Sequence, residues 1–218
     1  MEDLDLGRLT DEVARRVHAR IISSDLEGRI VVPIGVSARH MHLTREVLEG
    51  LFGKGHDLGV SRPLSQGGEF AAEETVTIVG SNGRAIEKVR ILGPLRPFAQ
   101  AELARSDGLR LGLDLPVRKT GDLNGTPGLT VVGPWGTVVL KEGAIRATRH
   151  IHMSQDDAGR FGLRDGRIVR TRVAGVRAVT FENVEVRVDE RFMLDFHIDT
   201  DDANASGVDT GCFAEVIV

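Results

Sequence analysis

The sequence predicts a mainly β protein: two pseudo-equivalent β-barrel domains with short capping helices and an N-terminal helix. Three observations lead there. The 26 glycines and 7 prolines among 218 residues fall at short intervals between Val- and Ile-rich runs, a pattern of many brief strands and turns. No strand–GxGxxG–helix or Gly-Lys-Ser/Thr arrangement marks a doubly wound nucleotide-binding sheet. And Arg39-His40-Met41-His42-Leu43-Thr44 is written again as Arg149-His150-Ile151-His152-Met153-Ser154, each copy followed by a Phe-Gly pair.

In chain order, residues 3–23 carry Leu6, Leu9, Val13, Val17 and Ile21 on one helical stripe with charges opposite, and 25–28 read as a linker. This helix either packs on the body or docks to a larger assembly. Residues 30–37 form an apolar strand running into the first His-x-His. Thr44 suits an N-cap, and residues 45–52 make a short helix ended by Gly53. Residues 53–68 read as loop. Residues 75–79 and 85–92 flank Asn82-Gly83 as a hairpin, because Asn-Gly supplies the positive φ of a tight turn. An irregular segment over 93–102 begins at Gly93-Pro94, and 116–128 is a second loop. Residues 129–132 and 137–140 form another hairpin around Pro134-Trp135-Gly136.

After the second His-x-His the pattern repeats. Ser154-x-x-Asp157 is an N-cap signature, and strands over 167–173, 178–188, 192–198 and 213–218 follow, with a helical turn at 200–206.

Composition narrows the function. Lys plus Arg (28) nearly balance Asp plus Glu (32), no polybasic run occurs, Tyr is absent and Trp135 is alone, so nucleic acid is not an expected partner. The acidic start lacks the basic n-region of a signal peptide, and no apolar run approaches the roughly 20 residues of a bilayer span. One cysteine, Cys212, excludes an internal disulfide framework and fits a reducing cytosol. It reads as a buried, inert thiol.

Four of the seven histidines lie in the doubled motif. Residues two apart on a strand share a face, so each His-x-His presents paired imidazoles, a chelating arrangement. The alternative is ordinary strand histidines. Two imidazoles do not complete a zinc site, which takes three protein ligands and an open position. Glu102, among the small residues Ala99-Gln100-Ala101, and His197, alternating with buried Phe196 and Ile198, are the remaining candidates. A consistent assignment puts one metal on His40, His42 and Glu102, and another on His150, His152 and His197. Arg39 and Arg149 point away from their histidines and read as structural ion-pair partners. Arg96, in the Gly-Pro…Pro break, is either a surface residue or a fork for a phosphate oxygen pair. His18 and His56 read as surface histidines.

At this point the residues resemble a known family, the phosphate propanoyltransferases (phosphotransacylases of the propanediol-utilisation type). The resemblance runs through residues 32–43, 70–76, 89–96, 121–123, 149–153 and 197–205, in matching order. It implies two β-barrels with the N-terminal strand joining the C-terminal barrel: residues 1–28 helix and linker, 29–39 plus 148–218 one barrel, 40–147 the other, the active site between. It implies two zinc ions per chain on the same six ligands, and phosphate on Arg96. Coenzyme A would lie near Val36, Ser37 and Ala38, with Arg90 and Asn204 further contacts. Acyl-CoA and phosphate are the implied substrates. The family further implies a homodimer, cytoplasmic or inside a bacterial microcompartment whose shell or core enzymes the N-terminal helix would meet.

The reaction so implied is acyl-CoA plus phosphate giving acyl phosphate plus CoA, by direct attack, since no Cys or Ser nucleophile is evident. Three rivals stand beside it. A cupin-like oxygenase would use His40-x-His42 with Glu46 but leaves the second His-x-His without purpose. A metal-dependent thioesterase would release CoA without phosphate, and a structural zinc protein would not turn over.

Overall fold

Fifteen strands and four helices follow one another in the computed structural model, which describes residues 28–218. The helix expected over residues 3–23 lies outside the described residues. The first run is β1 (Ile30–Ser37), β2 (His40–His42), α1 (Arg45–Phe52), β3 (Val60–Pro63), β4 (Phe70–Val79), β5 (Ala85–Gly93), β6 (Gln100–Glu102) and α2 (Arg105–Leu111). Then come β7 (Val117–Arg118), β8 (Leu129–Val132), β9 (Thr137–Leu140) and β10 (Ala144–Ala147). The last run is β11 (His150–Met153), α3 (Gln155–Phe161), β12 (Ile168–Val173), β13 (Val179–Val188), β14 (Asp195–Asp199), α4 (Thr200–Ser206) and β15 (Phe213–Ile217).

Six strands close into a barrel in the order β1-β14-β11-β13-β12-β15. The other nine form an open sheet, β7-β10-β6-β2-β5-β4-β8-β9, with β3 paired to β4. The expectation of two barrels is therefore half met. Closure fails in the second unit because its terminal strands never pair: β7 is two residues long, and α1 packs on β9. Backbone approaches backbone closely there. Trp135 N–H donates to the Leu51 carbonyl at 3.0 Å, and a Cβ at Gly133 would lie 2.4 Å from that same oxygen. Each unit has its own core: one around Met41, Leu48, Ile78 and Ile91, the other around Ile34, Ile151, Val186 and Phe196.

The repetition in sequence is a repetition in pairing. β2 pairs antiparallel with β6 and parallel with β5; β11 pairs antiparallel with β14 and parallel with β13. A capped helix follows each His-x-His strand, with Thr44 Oγ1 accepting from Val47 N and Ser154 Oγ from Asp157 N.

Several boundaries differ from the sequence expectation. The strand expected to run from 30 into the first His-x-His breaks at Ala38-Arg39, where the chain passes from barrel to open sheet. The presumed loops hold β3 and β7, and the irregular segment after Gly93 holds β6. β10 and α2 were not foreseen: β10 joins β6 and β7 in parallel, beyond the reach of turn chemistry, and α2 starts after Ala104, which has no capping side chain. In the Asn82-Gly83 turn only Gly83 takes positive φ, at 74°. Cys212, expected to be buried, lies just before β15 and is only half-buried against the barrel core, because it sits at the strand's open end. No described helix is long and apolar enough to cross a membrane.

Candidate metal centres

Strand register brings the doubled motif's histidines to their third partners. His40 stands opposite Glu102 across β2 and β6, and His150 stands opposite His197 across β11 and β14. Ligand atoms of His40, His42 and Glu102 lie within 4.8 Å of one another, and so do those of His150, His152 and His197. His40 Nε2 is 3.6 Å and His42 Nε2 3.8 Å from the Glu102 carboxylate. In the second cluster the ring centroids are 4.5–5.1 Å apart.

The first histidine of each pair is oriented the same way. His40 Nδ1–H donates to the Ala38 carbonyl at 2.9 Å, and His150 Nδ1–H to the Thr148 carbonyl at 2.8 Å. That fixes the proton on Nδ1 and leaves Nε2 with its lone pair, as an imidazole ligand requires. The second histidines, His42 and His152, each bury an Nδ1 with no hydrogen-bond partner. The Leu92 backbone nonetheless acts on the His42 ring, and it is His42 Nε2 that turns toward the Glu102 carboxylate.

Electrostatics agree. Burial, reinforced by His40 and Arg96, pushes His42 down to about 4. Burial, with His197 and Arg187 adding to it, pushes His152 down to about 3 and His150 well below its usual range. Burial works to raise the Glu102 carboxyl but is outweighed by His40, His42 and the Thr120 hydroxyl, so it stays below its usual range. Three neutral imidazoles and an ionised carboxylate in tight clusters form a donor set that fits divalent metal ions.

The sign of the pH response follows. A histidine neutral in the fold but free to protonate when unfolded makes the unfolded chain bind more protons below pH ~6.5. Stability of the metal-free protein is therefore full above 6.5 and is lost as pH falls toward about 4 for His42 and about 3 for His152. Each of His42, His150 and His152 contributes up to ~1.4 kcal/mol per pH unit inside that window. Urea midpoints of the metal-free protein at pH 7.5, 6.5 and 5.5 should fall in that order, and a flat series would contradict neutral burial.

The two clusters border one cleft. Ser37, Glu102, Thr148, Arg149, His150 and His197 line it, and the charge of His197 is felt at Glu102. Gln66 and Met193 tie the units together through two 3.1 Å hydrogen bonds, and Ser106 Oγ donates to Asp201 at 2.6 Å. Behind each histidine pair lies an ion pair, Arg39 with Asp107 at 2.9 Å and Arg149 with Asp202 at 2.7 Å. Both arginines thus have the structural partners expected of them, each the third residue of a helix.

Arg96 sits in the break between β5 and β6, its N–H donating to the Leu43 carbonyl at 2.9 Å and its guanidinium paired with Glu69. It is close enough to help lower His42. Of the residues tied to coenzyme A by resemblance, Ser37 lines the cleft, Val36 packs against the barrel core and Ala38 is exposed. Arg90 spends its guanidinium on the Ala72 and Glu73 carbonyls, both at 2.9 Å, and Asn204 is exposed on α4. His56, expected at the surface, is stacked on Phe52 and donates to Glu74 at 2.8 Å. The sequence reading assigned no role to Glu69 and Thr120, which hold site residues from loops, or to Gln100 and Asp195, which hold them from the same strand.

Comparison with known proteins adds the following. Residues 33–209 match the family model described as phosphate propanoyltransferase. A protein of that name from Lachnoclostridium phytofermentans is 46% identical over 208 residues, covering 94% of this chain and 97% of its own. One from Thermotoga maritima is 47% identical over 210 residues, covering 96% and 99%. One from Priestia megaterium is 49% identical over 180 residues, covering 83% and 82%.

Proposed function

This chain belongs to the phosphate propanoyltransferase family, and we propose that it interconverts acyl-CoA plus phosphate with acyl phosphate plus CoA, propanoyl and acetyl groups being the first acyl candidates. The observation that carries the proposal is the pair of histidine-rich clusters bordering one cleft between the barrel and the open sheet. We take residues 29–39 plus 148–218 as one domain and 40–147 as the other, with the reaction at their junction.

His40, His42 and Glu102 would hold one zinc ion, and His150, His152 and His197 a second. Bound there, the two ions would supply concentrated positive charge, which favours a thiol as thiolate and polarises a thioester carbonyl. The chain's own residues do the rest. Ala38 and Thr148 carbonyls keep His40 and His150 in the ligand tautomer. Gln100 and Thr120 donate to Glu102 at 2.7 and 2.9 Å, holding it ionised and fixed in direction. Arg96 presents a guanidinium already oriented by Glu69, and its remaining donors take phosphate oxygens. Aiming phosphate at the carbonyl turns an encounter into a near-attack geometry. Val36, Ser37 and Ala38 would border coenzyme A along the end of β1, with Arg90 and Asn204 as outer contacts. By resemblance, the protein works as a homodimer, in the cytoplasm or in a microcompartment for propanediol degradation that residues 1–28 address.

Among the described residues, no cysteine or serine lining the cleft is paired with a free general base. Among the described residues that line the cleft, the serine is Ser37, and its Oγ is 3.4 Å from a His40 Nδ1 already engaged with a carbonyl. Phosphate therefore attacks the thioester directly, within a ternary complex. Thiol release from an acyl-CoA series, on protein of measured metal content, should require phosphate and give intersecting double-reciprocal plots. Phosphate-independent release would indicate a thioesterase, and parallel plots or a trapped acylated side chain an acyl-enzyme.

A further inference from the structure

The residue two before each third ligand is matched in hydrogen-bond polarity to that ligand. On β6, Gln100 precedes Glu102 by two; on β14, Asp195 precedes His197 by two, so each shares its ligand's strand face. The register makes them equivalents: Gln100 stands opposite His42, and Asp195 opposite His152. Both are buried, Gln100 completely. Gln100 Nε2 donates to Glu102 at 2.7 Å, while its own oxygen accepts from Gly121 N at 2.8 Å, which fixes the amide orientation. Asp195 accepts from His197 Nε2 at 2.9 Å and from Ser65 Oγ, on the other unit, at 3.2 Å. A carboxylate ligand needs a donor behind it, and an imidazole ligand needs an acceptor that takes its spare N–H. The chain supplies each in the right place.

We propose that Asp195 and Gln100 are a matched pair of positioning residues: Asp195 fixes the tautomer and direction of His197, and Gln100 fixes the direction of Glu102. This rests on the metal reading above. One consequence is that each centre carries one carboxylate, inside the ligand set at Glu102 and behind it at Asp195. A second is a demand on β1. The Asp195 oxygens occupy the space beside Gly35, where a Cβ would meet both at 2.6 Å. Gly35 is thus glycine because the carboxylate behind His197 lies there.

The test is zinc titration of the full chain against a chromogenic chelator, with cobalt(II) absorption as a spectroscopic reading of each centre and melting of the metal-free protein as the structural control. Wild type should bind two ions. Asp195→Asn and Gly35→Ala should each keep one tight site and weaken the other by ~10–100-fold, changing the cobalt spectrum of that site alone. Gln100→Glu keeps the acceptor for Gly121 but loses the donor, and should weaken the opposite centre by a similar factor. Two ions bound unchanged by Asp195→Asn and Gly35→Ala overturn the positioning roles, as does equal weakening of both centres with a lowered metal-free melting temperature. A wild type that binds no ion overturns the metal reading instead.

Discussion

Alanine at His150 is expected to lower turnover by at least ~10³-fold, because it would dismantle one of the two proposed metal centres. A bound cation contributes several kcal/mol to stabilising charge that develops on a carbonyl or thiolate, and each ~1.4 kcal/mol is tenfold in rate. His150 is buried, its tautomer is set by the Thr148 carbonyl, and it faces both His152 and His197. Metal content should fall from two ions to one. The fold should tolerate the change, because the lost side chain is a desolvated imidazole that lowers stability in acid. His56→Ala is the comparison: that ring stacks on Phe52 and bonds Glu74 away from both clusters, so it should leave metal content and turnover near wild type. Equal damage from the two substitutions would mean that the histidine clusters carry no special chemistry.

The histidine pairs that open the two clusters were legible in the sequence because a two-residue spacing on a strand is a geometric statement, and a motif written twice supplies its own control. The third members of the clusters, Glu102 and His197, were reachable by elimination, since few other histidines and carboxylates sit beside apolar alternation. Glu102 was the less obvious of the two, because the three residues of β6 are too short to show any period. The positioning layer was not legible. Gln100 and Asp195 differ in chemistry as do Glu102 and His197, the groups they bond, so no repeated letter marks them, and Ser65 and Thr120 reach the site from loops whose course depends on the finished fold. The same limit explains the open sheet. Turn residues reveal hairpins such as β4–β5, but β10 joins β6 and β7 in parallel, and whether nine strands close is decided by terminal pairings with no local signature. Arg39 and Arg149 illustrate the opposite case, where strand alternation alone sent each arginine away from its histidines and toward an aspartate.

Arg96→Ala is expected to reduce kcat/KM for phosphate by ~10²-fold or more while changing the KM for acyl-CoA little. A hydrogen bond to a charged group contributes ~1.5–3 kcal/mol, equivalent to ~10–150-fold. Glu69 adds to the loss, because it is paired to Arg96 and its carboxylate would be left facing an incoming anion. The double variant Arg96→Ala/Glu69→Gln should therefore recover part of the phosphate affinity that the single variant loses, which simple deletion of a surface arginine would not produce. Arg96→Lys should restore charge but not the planar fork, and fall between the two. The helical segment after β2 should be unaffected, since the Arg96 contact to the Leu43 carbonyl is made by backbone N–H and survives each substitution. Steady-state kinetics with each substrate varied in turn separate these outcomes. Loss spread equally over phosphate and acyl-CoA would remove Arg96 from the phosphate site and leave it as a partner for Glu69 alone.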